Sequence, residues 1–451
     1  MSEVTDIETK ISEITKIIKQ EKVKEIILQF VDIPGILHSL WIPAELLPKA
    51  AKEGIHTDGS SLGGVVDVSK SDLKLVPDLD SFIVLPAEIF SQRTARVVCD
   101  LYEPDSDKPF KFDPRFVLKR AIDRIKETLG SAVNAYAASE MEYFVFTKDE
   151  EGKIKLLDDA GYLASPPTDR GADLRVEIAG ALRSMGIVIE KHHHEVPPGK
   201  YEYNLEYKEA LRMADMIYLV KFVIKMIAAR RGLIASFMPK PFHETYGCGL
   251  HTHLNLRDDA RSENLFYTPG NRHGLSETGL GFIAGVLFHA KALAGITNPS
   301  VNSYKRLVPG WEAPVNISWA IYNRSTLIRI PPGKGKGTRI EYRPTDGSCN
   351  FYLAYAAILS AGLDGIQKKI QPPEAIEENI YKMNEQERTA RGIEVLPGNL
   401  GDALRELSKD TYLREALDPA FFDMYLDMKI KEWTDFSVHV HEWERKRYLD
   451  V

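Results

Sequence analysis

The sequence predicts an α+β fold in two domains, and three observations carry that reading. Its 451 residues exceed the size at which one hydrophobic core stops growing. Strand-like runs follow one another through hairpin-like turns, which favours an antiparallel sheet with helices on one side over a doubly wound parallel sheet. A stretch rich in Pro, Asp and Lys (EPDSDKPFKFDP, Glu103 to Pro114) separates a short strand-rich segment from a longer mixed one. The domains are therefore placed at 20–105 and 112–451.

Each element has its own signal. Ile7, Ile11, Ile14 and Ile18 recur at helical spacing, so residues 5–20 read as an amphipathic helix. VKEIILQFVDIPGILHSLWIP reads as two strands around a turn at Asp32-Ile33-Pro34-Gly35, and SFIVLPAEI and TARVVCDLYE add two more. Past the linker, PRFVLKRAIDRIKETL, RGADLRVEIAGALRSMG, EALRMADMIYLVKFVIKMIAARRG and one run from Leu275 to Thr297 read as helices. NAYAASEMEYFVF, VIEKHHHEV, KYEYNLEY, GLHTHLNL, STLIRIP and GTRIEYRP read as strands. The last 80 residues or so read as helical and highly charged, and no repeat or low-complexity segment stands out.

Composition narrows the function classes. With 44% hydrophobic and 27% charged residues, neither a disordered nor a fibrous chain is expected. A formal charge of -7 argues against a nucleic-acid partner, although a local arginine cluster can still bind a small anion. Cys99, Cys248 and Cys349 are widely spaced and show no CxxC pair, so neither a disulfide framework nor a zinc ribbon is expected. MSEVTDIETK lacks the apolar core of a signal peptide, and no apolar run reaches the length of a membrane span. A cytoplasmic protein without a membrane partner is the expectation.

The candidate chemistry begins in SEMEYFVF. Glu140 and Glu142 are two apart, so on a strand they share a face, where paired carboxylates are costly unless a divalent cation offsets them. The plainer alternative is a solvent-facing strand edge. Glu195 and Glu202 flank a Pro-Pro-Gly turn in HHHEVPPGKYE, and a hairpin would carry both to the mouth of the sheet. His192, His193 and His194 are adjacent, so they cannot all face one ion, and hydrogen-bonding roles suit them better. His251 and His253 share a face by the same period of two. A carboxylate-rich site with one imidazole suits Mg²⁺ or Mn²⁺ better than zinc. The segment NRSTLIRIPPGKGKGTRIEYRP adds Arg324, Arg329, Arg339 and Arg343 around Glu341. These could form a surface ion-pair ladder, but guanidinium forks also match phosphate and carboxylate oxygens. The PPGKGKG loop joins two strands and opens no helix, so it is neither a P-loop nor a dinucleotide fingerprint. It could still bring Lys336 or backbone to an anion.

Taken in order, TDGSS, SEMEYF, HHHEVPPGKYE, FMPKPF, GCGLHTHLNL, TNPSVNSYKRLVPGWEAP, NRSTLIRIP, RIEYR and EWTDFSVHVHEWERKRY resemble type I glutamine synthetases of the short branch, from about Ile26 to Tyr448. The resemblance implies a small N-terminal β-grasp domain and a larger catalytic domain with a curved antiparallel sheet. It implies ATP-dependent ligation of ammonia to glutamate through a γ-glutamyl phosphate, with two or three Mg²⁺ or Mn²⁺ ions. Glu142, Glu195 and Glu202 match the ligands of the first metal, and Glu140, His251 and Glu341 those of the second. Arg306 and Arg343 match the residues that hold the glutamate carboxylates, with Gly247 in the substrate loop, and Arg324, Arg329 and Arg339 the phosphate arginines, with Lys336 near them. Tyr207, His253 and Asn255 fall where the family contacts the nucleotide. Asp58 matches the acid that binds and deprotonates ammonium, Ser61 and Tyr162 its neighbours, and Glu312 the flap glutamate that takes a proton. The family's site is shared between subunits, which implies a homo-dodecamer of two hexameric rings with the C-terminal helical segment reaching across them.

Departures from the pattern shape the alternatives. TYGCGLH stands where the family reads NGSGMH, so Tyr246 replaces an Asn beside the substrate. DGSCNFYL replaces DPAANPYL, and Asp67 stands where the short branch carries an Arg used in feedback inhibition. Tyr381 lies in a context like an adenylylated Tyr, but a structural or solvent-facing role fits the short branch. A ligase for an organic amine (polyamine, methylamine or ethanolamine) is the first alternative, against which the retained Asp58 and Glu312 count. A non-catalytic homologue is the second, and the six retained metal-ligand positions count against it. The sequence carries no signal for or against a nitrogen-regulatory protein partner.

Overall fold

The computed structural model describes residues 2–60, 71–309 and 313–451. The chain opens with α1 (Ser2–Glu21), which lays Ile14 and Ile18 on the N-terminal sheet. That sheet contains β1 (Glu25–Val31), β2 (Leu37–Pro43), β3 (Ile55–Asp58), β4 (Asp72–Val84) and β5 (Thr94–Tyr102), with α2 (Leu47–Glu53) between β2 and β3. Its order is β2-β1-β5-β4-β3. The strands pair antiparallel except β1 with β5, which run parallel. Ile26, Leu28, Phe30, Leu75, Val97 and Cys99 form its core.

The β1–β2 hairpin turns where expected and docks on the second domain. Gly35 has φ +92°, and a Cβ there would lie 3.1 Å from the Asn350 Cα. Asn350 donates its amide to the Asp32 carbonyl at 2.8 Å. A second tie is the buried Arg115, whose guanidinium reaches Asp78 on β4, Asp100 on β5 and Asp215 beyond the linker, at 2.5, 2.5 and 2.9 Å. Three carboxylates around one buried cation give good geometry to charges that would otherwise be costly to bury.

The second sheet is built on β6 (Val133–Lys148), a 16-residue strand. Its odd-numbered residues Ala135, Ala137, Met141, Tyr143 and Val145 point into the main core. Its even-numbered face carries Glu140 and Glu142, as a period of two requires. The core is shared with α3 (Pro114–Leu129), α4 (Ala172–Ser184), α5 (Ala210–Arg230) and, later in the chain, α9 (Phe351–Gln367). Asp113 and Asn350 cap α3 and α9, accepting from backbone N–H groups of the first turn.

Short strands β7 (Ile154–Leu156), β10 (Lys208–Glu209) and β11 (Ile234–Ser236) pair along β6, and β13 (Glu263–Asn264) pairs with β12 (Leu250–Asp258). The main path runs β15-β16-β17-β12-β6-β9-β8, with β8 (Ile189–His194), β9 (Lys200–Leu205), β15 (Trp319–Ile321), β16 (Ile328–Ile330) and β17 (Ile340–Tyr342). A separate ladder joins β14 (Asn316–Ile317) to β18 (Glu394–Val395).

Three expectations change in detail. The main sheet is antiparallel except for β15 and β16, which run parallel. The single helix expected over 275–297 is two, α6 (Glu277–Phe288) and α7 (Ala290–Thr297), bent by 74°. His289 sits at the bend, its ring nitrogens 2.5 Å from Asp410 and 3.2 Å from Asp364, so it anchors the corner to two other elements. The GTRIEYRP run is a strand only over Ile340–Tyr342, which leaves Arg339 and Arg343 just outside it. The remaining helices are α8 (Ser303–Arg306), α10 (Glu385–Ala390), α11 (Leu400–Lys409), α12 (Thr411–Ala416), α13 (Pro419–Ser437) and α14 (Glu442–Tyr448). No single helix among the described residues is long and apolar enough to cross a membrane.

Candidate active site

Strand register assembles a row of carboxylates. On β6, Glu140 lies opposite His251 of β12, and Glu142 opposite Glu202 of β9. On the other edge of β12, His253 faces Glu341 of β17, which in turn faces Arg329 of β16. Side chains from five strands therefore meet on one face.

At one pole, Glu140, His251 and Glu341 offer ligand atoms all within 4.8 Å of one another. Glu140 receives His251 Nδ1 at 3.0 Å and His253 Nε2 at 3.2 Å. Burial pushes its carboxyl up, but the two imidazoles outweigh this and hold it well below the usual carboxylate range. Glu341 is fully buried, paired with Arg329 and, at 2.8 Å, with Arg343. Burial again opposes ionisation, but the Arg343 cation and both histidines bring Glu341 down to about 2.

At the other pole, His193, Glu195 and Glu202 form a second ligand-distance group. His193 Nε2 lies 3.0 Å from Glu195 Oε1. Glu202 is raised well above its ordinary value, by burial first and then by Glu140, Glu142 and Glu195. Four carboxylates crowded in a buried wall are a strong fit to divalent cations, because oxygen donors with one imidazole are what Mg²⁺ and Mn²⁺ take.

The row opens into two neighbouring cavities. The larger, of about 820 Å³, is lined by Glu140, Glu142, His193, Glu195, Glu202 and His251 on one side and by Arg306, Arg324, Arg343, Tyr162, Tyr246 and Gly247 on the other. The smaller, of about 340 Å³, is lined by Tyr207, His253, Asn255, Lys336 and Arg339. Glu140 and Lys191 belong to both walls, so the carboxylates stand where the two cavities meet.

The arrangement has known relatives. A profile of the glutamine synthetase catalytic domain matches residues 111–448, and one of its beta-grasp domain matches residues 22–104. The chain belongs to the glutamine synthetase family. It is 47% identical over 442 residues to the glutamine synthetase of Thermotoga maritima, covering 97% of this chain and 99% of that protein. With the Thermus thermophilus glutamine synthetase the identity is 46% over 443 residues, covering 97% and 98%. Among solved structures, a GmaS/ADP complex superposes with TM-score 0.87 at 32% identity, covering 97% of this chain and 99% of that one.

Against the glutamine synthetase pattern, most of the expected residues gather at the two cavities, but not all in the same way. Arg324 is exposed to the larger cavity and has no hydrogen-bond or ion-pair partner among the described residues. Arg343 holds Glu341 through Nη1, while its buried Nε has no hydrogen-bond partner. Arg306, on α8, donates to the carbonyls of Pro344 and Arg343 at 2.5 and 3.2 Å. Arg306 packs against the glycine loop, and a Cβ on Gly247 would come within 2.8 Å of the Pro239 carbonyl oxygen and 2.5 Å of Arg306 Cγ, so that position has no room for a side chain. In the smaller cavity, Arg339 Nε donates to His253 Nδ1 at 3.2 Å, Tyr207 OH accepts from Arg257 at 3.0 Å, and Asn255 keeps a buried, unpaired Oδ1. Arg329 and Glu341 line neither cavity and stand behind the wall.

Asp58 lies elsewhere, at the end of β3, where its Oδ1 accepts the Ser60 N–H at 2.8 Å. It is not among the lining residues of either cavity. Ser61, Asp67 and Glu312 lie outside the described residues.

Sequence reasoning passed over Lys191 and Lys200, which line the larger cavity, while His193 there makes the hydrogen bond expected of the histidine run, to Glu195. The HHH run divides as adjacent strand residues must. His193 faces the cavity, while His194 turns inward to Asp158 at 3.0 Å. Tyr381 lines the larger cavity with its hydroxyl 3.2 Å from the Ala313 carbonyl. The DGSC departure is local packing: a Cβ on Gly347 would lie 2.8 Å from Phe237, and Phe351 packs on Tyr218 with centroids 5.2 Å apart.

Proposed function

We propose that this chain is an ATP-dependent glutamate–ammonia ligase that makes glutamine through a γ-glutamyl phosphate, in two steps. The observation that carries the reading is the junction at Glu140, where a cavity edged by Tyr207, Lys336 and Arg339 meets one edged by Arg306, Arg324 and Arg343. Such a junction suits a nucleotide on one side and an amino acid on the other, with the γ-phosphate and the side-chain carboxylate meeting between them.

Glu142, Glu195 and Glu202 would hold one divalent cation and Glu140, His251 and Glu341 another, with His193 placed to join the first set. When bound, Mg²⁺ or Mn²⁺, two or three per site, would supply positive charge against the phosphates. The remaining work falls to the protein. Tyr207, His253 and Asn255 seat the nucleotide. Arg306, Arg343 and the Gly247 loop hold the glutamate carboxylates, and the unpaired Arg343 Nε supports that assignment. Arg324, Arg339 and Lys336 stabilise charge on the transferring phosphoryl group, with Arg329 acting from behind through Glu341. The γ-carboxylate oxygen attacks the γ-phosphorus and ADP leaves. Ammonia then attacks the acyl carbon and inorganic phosphate leaves, while Asp58 and Glu312, with Ser61 and Tyr162, bind ammonium and accept protons. Exclusion of water protects the acyl phosphate from hydrolysis.

The position of Asp58 away from both cavities supports completion of the site by a second subunit, and we propose the two-ring homo-dodecamer of the family, in the cytoplasm, with domains at 20–105 and 112–451. The profile matches on either side of the linker support that division.

The test is glutamate-dependent release of phosphate from ATP, with ammonium compared against methylamine, ethanolamine and polyamines. Glutamine formed with ammonium, and abolished by Glu312→Ala, is the expected result. Turnover only with an organic amine would overturn the named product and assign Tyr246 to a different amine.

A further inference from the structure

The larger cavity contains a cation of its own. Lys200 begins β9, two residues before Glu202, so the two side chains share the cavity face. Its Nζ lies 2.6 Å from Glu142 Oε2 and donates to the Gly247 carbonyl at 2.8 Å. The residue is only 4% exposed, and it lines the cavity beside Glu142, Glu195 and Glu202. Glu142 Oε2 also accepts the Gly249 N–H at 2.6 Å. One of the two Glu142 oxygens is therefore committed to an ammonium and a backbone amide. The ligand-distance group at this pole contains His193, Glu195 and Glu202 and leaves Glu142 out.

We propose that Lys200 is a built-in counter-cation of Glu142 that weakens divalent-metal binding at the Glu142–Glu195–Glu202 pole and tethers that pole to the Gly247 substrate loop. The inference rests on the metal assignment given above, but not on which amine is the substrate. Two physical effects act together. A carboxylate that already neutralises an ammonium is a poorer ligand. A fixed positive charge one carboxylate away also repels an incoming dication through a low-dielectric wall. Direct contact between Lys200 and Gly247 then lets the occupancy of this pole be felt by the loop packed on Arg306.

The experiment titrates the intact protein with Mn²⁺ alone, without ATP or glutamate, and reads free Mn²⁺ by electron paramagnetic resonance. Lys200→Met is expected to tighten one class of sites by about tenfold or more, and Lys200→Arg to leave it near the unsubstituted value. Glu142→Gln is expected to cost less Mn²⁺ affinity than Glu202→Gln in the unchanged background, and more once Lys200→Met is present. Circular dichroism and thermal melting establish that each variant is folded. Unchanged or weaker Mn²⁺ binding in folded Lys200→Met would overturn the proposal. Equal losses for Glu142→Gln and Glu202→Gln in the unchanged background would overturn it without use of any Lys200 variant. A protein that binds Mn²⁺ as described but forms no glutamine would contradict the ligase reading and leave this one standing.

Discussion

Two clusters in this molecule have the same parts list. Glu140, His251 and Glu341 are two carboxylates and an imidazole within ligand distance, and so are Asp158, Asp169 and His194. Both are largely buried. The second is closed. Asp158 accepts from Gly199 N and Tyr201 OH at 2.7 and 2.8 Å and pairs with His194 at 3.0 Å, while Asp169 is held by both Arg175 nitrogens at 3.0 and 2.6 Å. Every partner is a fixed protein donor, and none of the three residues lines either of the two cavities. In the first cluster Glu140 and His251 line the larger cavity beside Glu142, Glu195 and Glu202, and only Glu341 stands behind the wall. Composition and distance do not distinguish a metal centre from a structural knot. Access to the cavities does.

Substitutions that spare shape but remove charge should separate the clusters most sharply. Glu140→Gln is expected to lower Mn²⁺ affinity and ligase turnover by at least about 100-fold. Asp158→Asn should instead cost about 3–5 kcal/mol of stability through the stranded His194 and leave Mn²⁺ binding in any folded fraction intact. Denaturant titration beside Mn²⁺ titration checks both, and a metal defect in the Asp158 variant would break the distinction.

Acid stability is the next expected effect, read through the closed cluster. Burial tends to raise Asp158, but His194, the Gly199 amide and the Tyr201 hydroxyl hold it at about 2, against an ordinary 3.8. A carboxylate depressed in the folded state stabilises the fold above its unfolded value and loses that contribution as pH falls towards the folded one. The protein should therefore lose stability between about pH 4 and pH 2, with a shallower slope in Asp158→Asn. Urea unfolding across that window measures it. An unchanged slope would mean that Asp158 is not the paired carboxylate described here.

The smallest expected effect lies on the open rim. Tyr207 is half exposed at the smaller cavity, so Tyr207→Ala should weaken ATP binding by about 1 kcal/mol without altering stability or Mn²⁺ binding. Nucleotide titration by fluorescence checks this.

Much of the site was legible because strand periodicity is a local signal. The spacing of Glu140 and Glu142, and of His251 and His253, placed each pair on one face before any strand pairing was known. Cross-strand register was not legible, since it depends on separate segments of the chain, such as those carrying Glu142 and Glu202 or Glu140 and His251, that meet only in the fold. For the same reason nothing local singles out Lys200, whose partner Glu142 lies 58 positions earlier. The parallel pairing of β1 with β5 likewise has no local signature. The break at His289 is set by Asp364 and Asp410, which approach from other elements, so an apolar run alone read as one helix. Asp58 could be matched to a role only through the family motif, because its own surroundings here are an exposed strand end.

The most direct test is anomalous diffraction from crystals of the intact protein soaked in Mn²⁺. The account predicts anomalous density among Glu140, His251 and Glu341 and beside Glu195 and Glu202, with none at Asp158, Asp169 and His194. Density at the Asp158 cluster, or a carboxylate row that stays empty at Mn²⁺ concentrations supporting turnover, would contradict it.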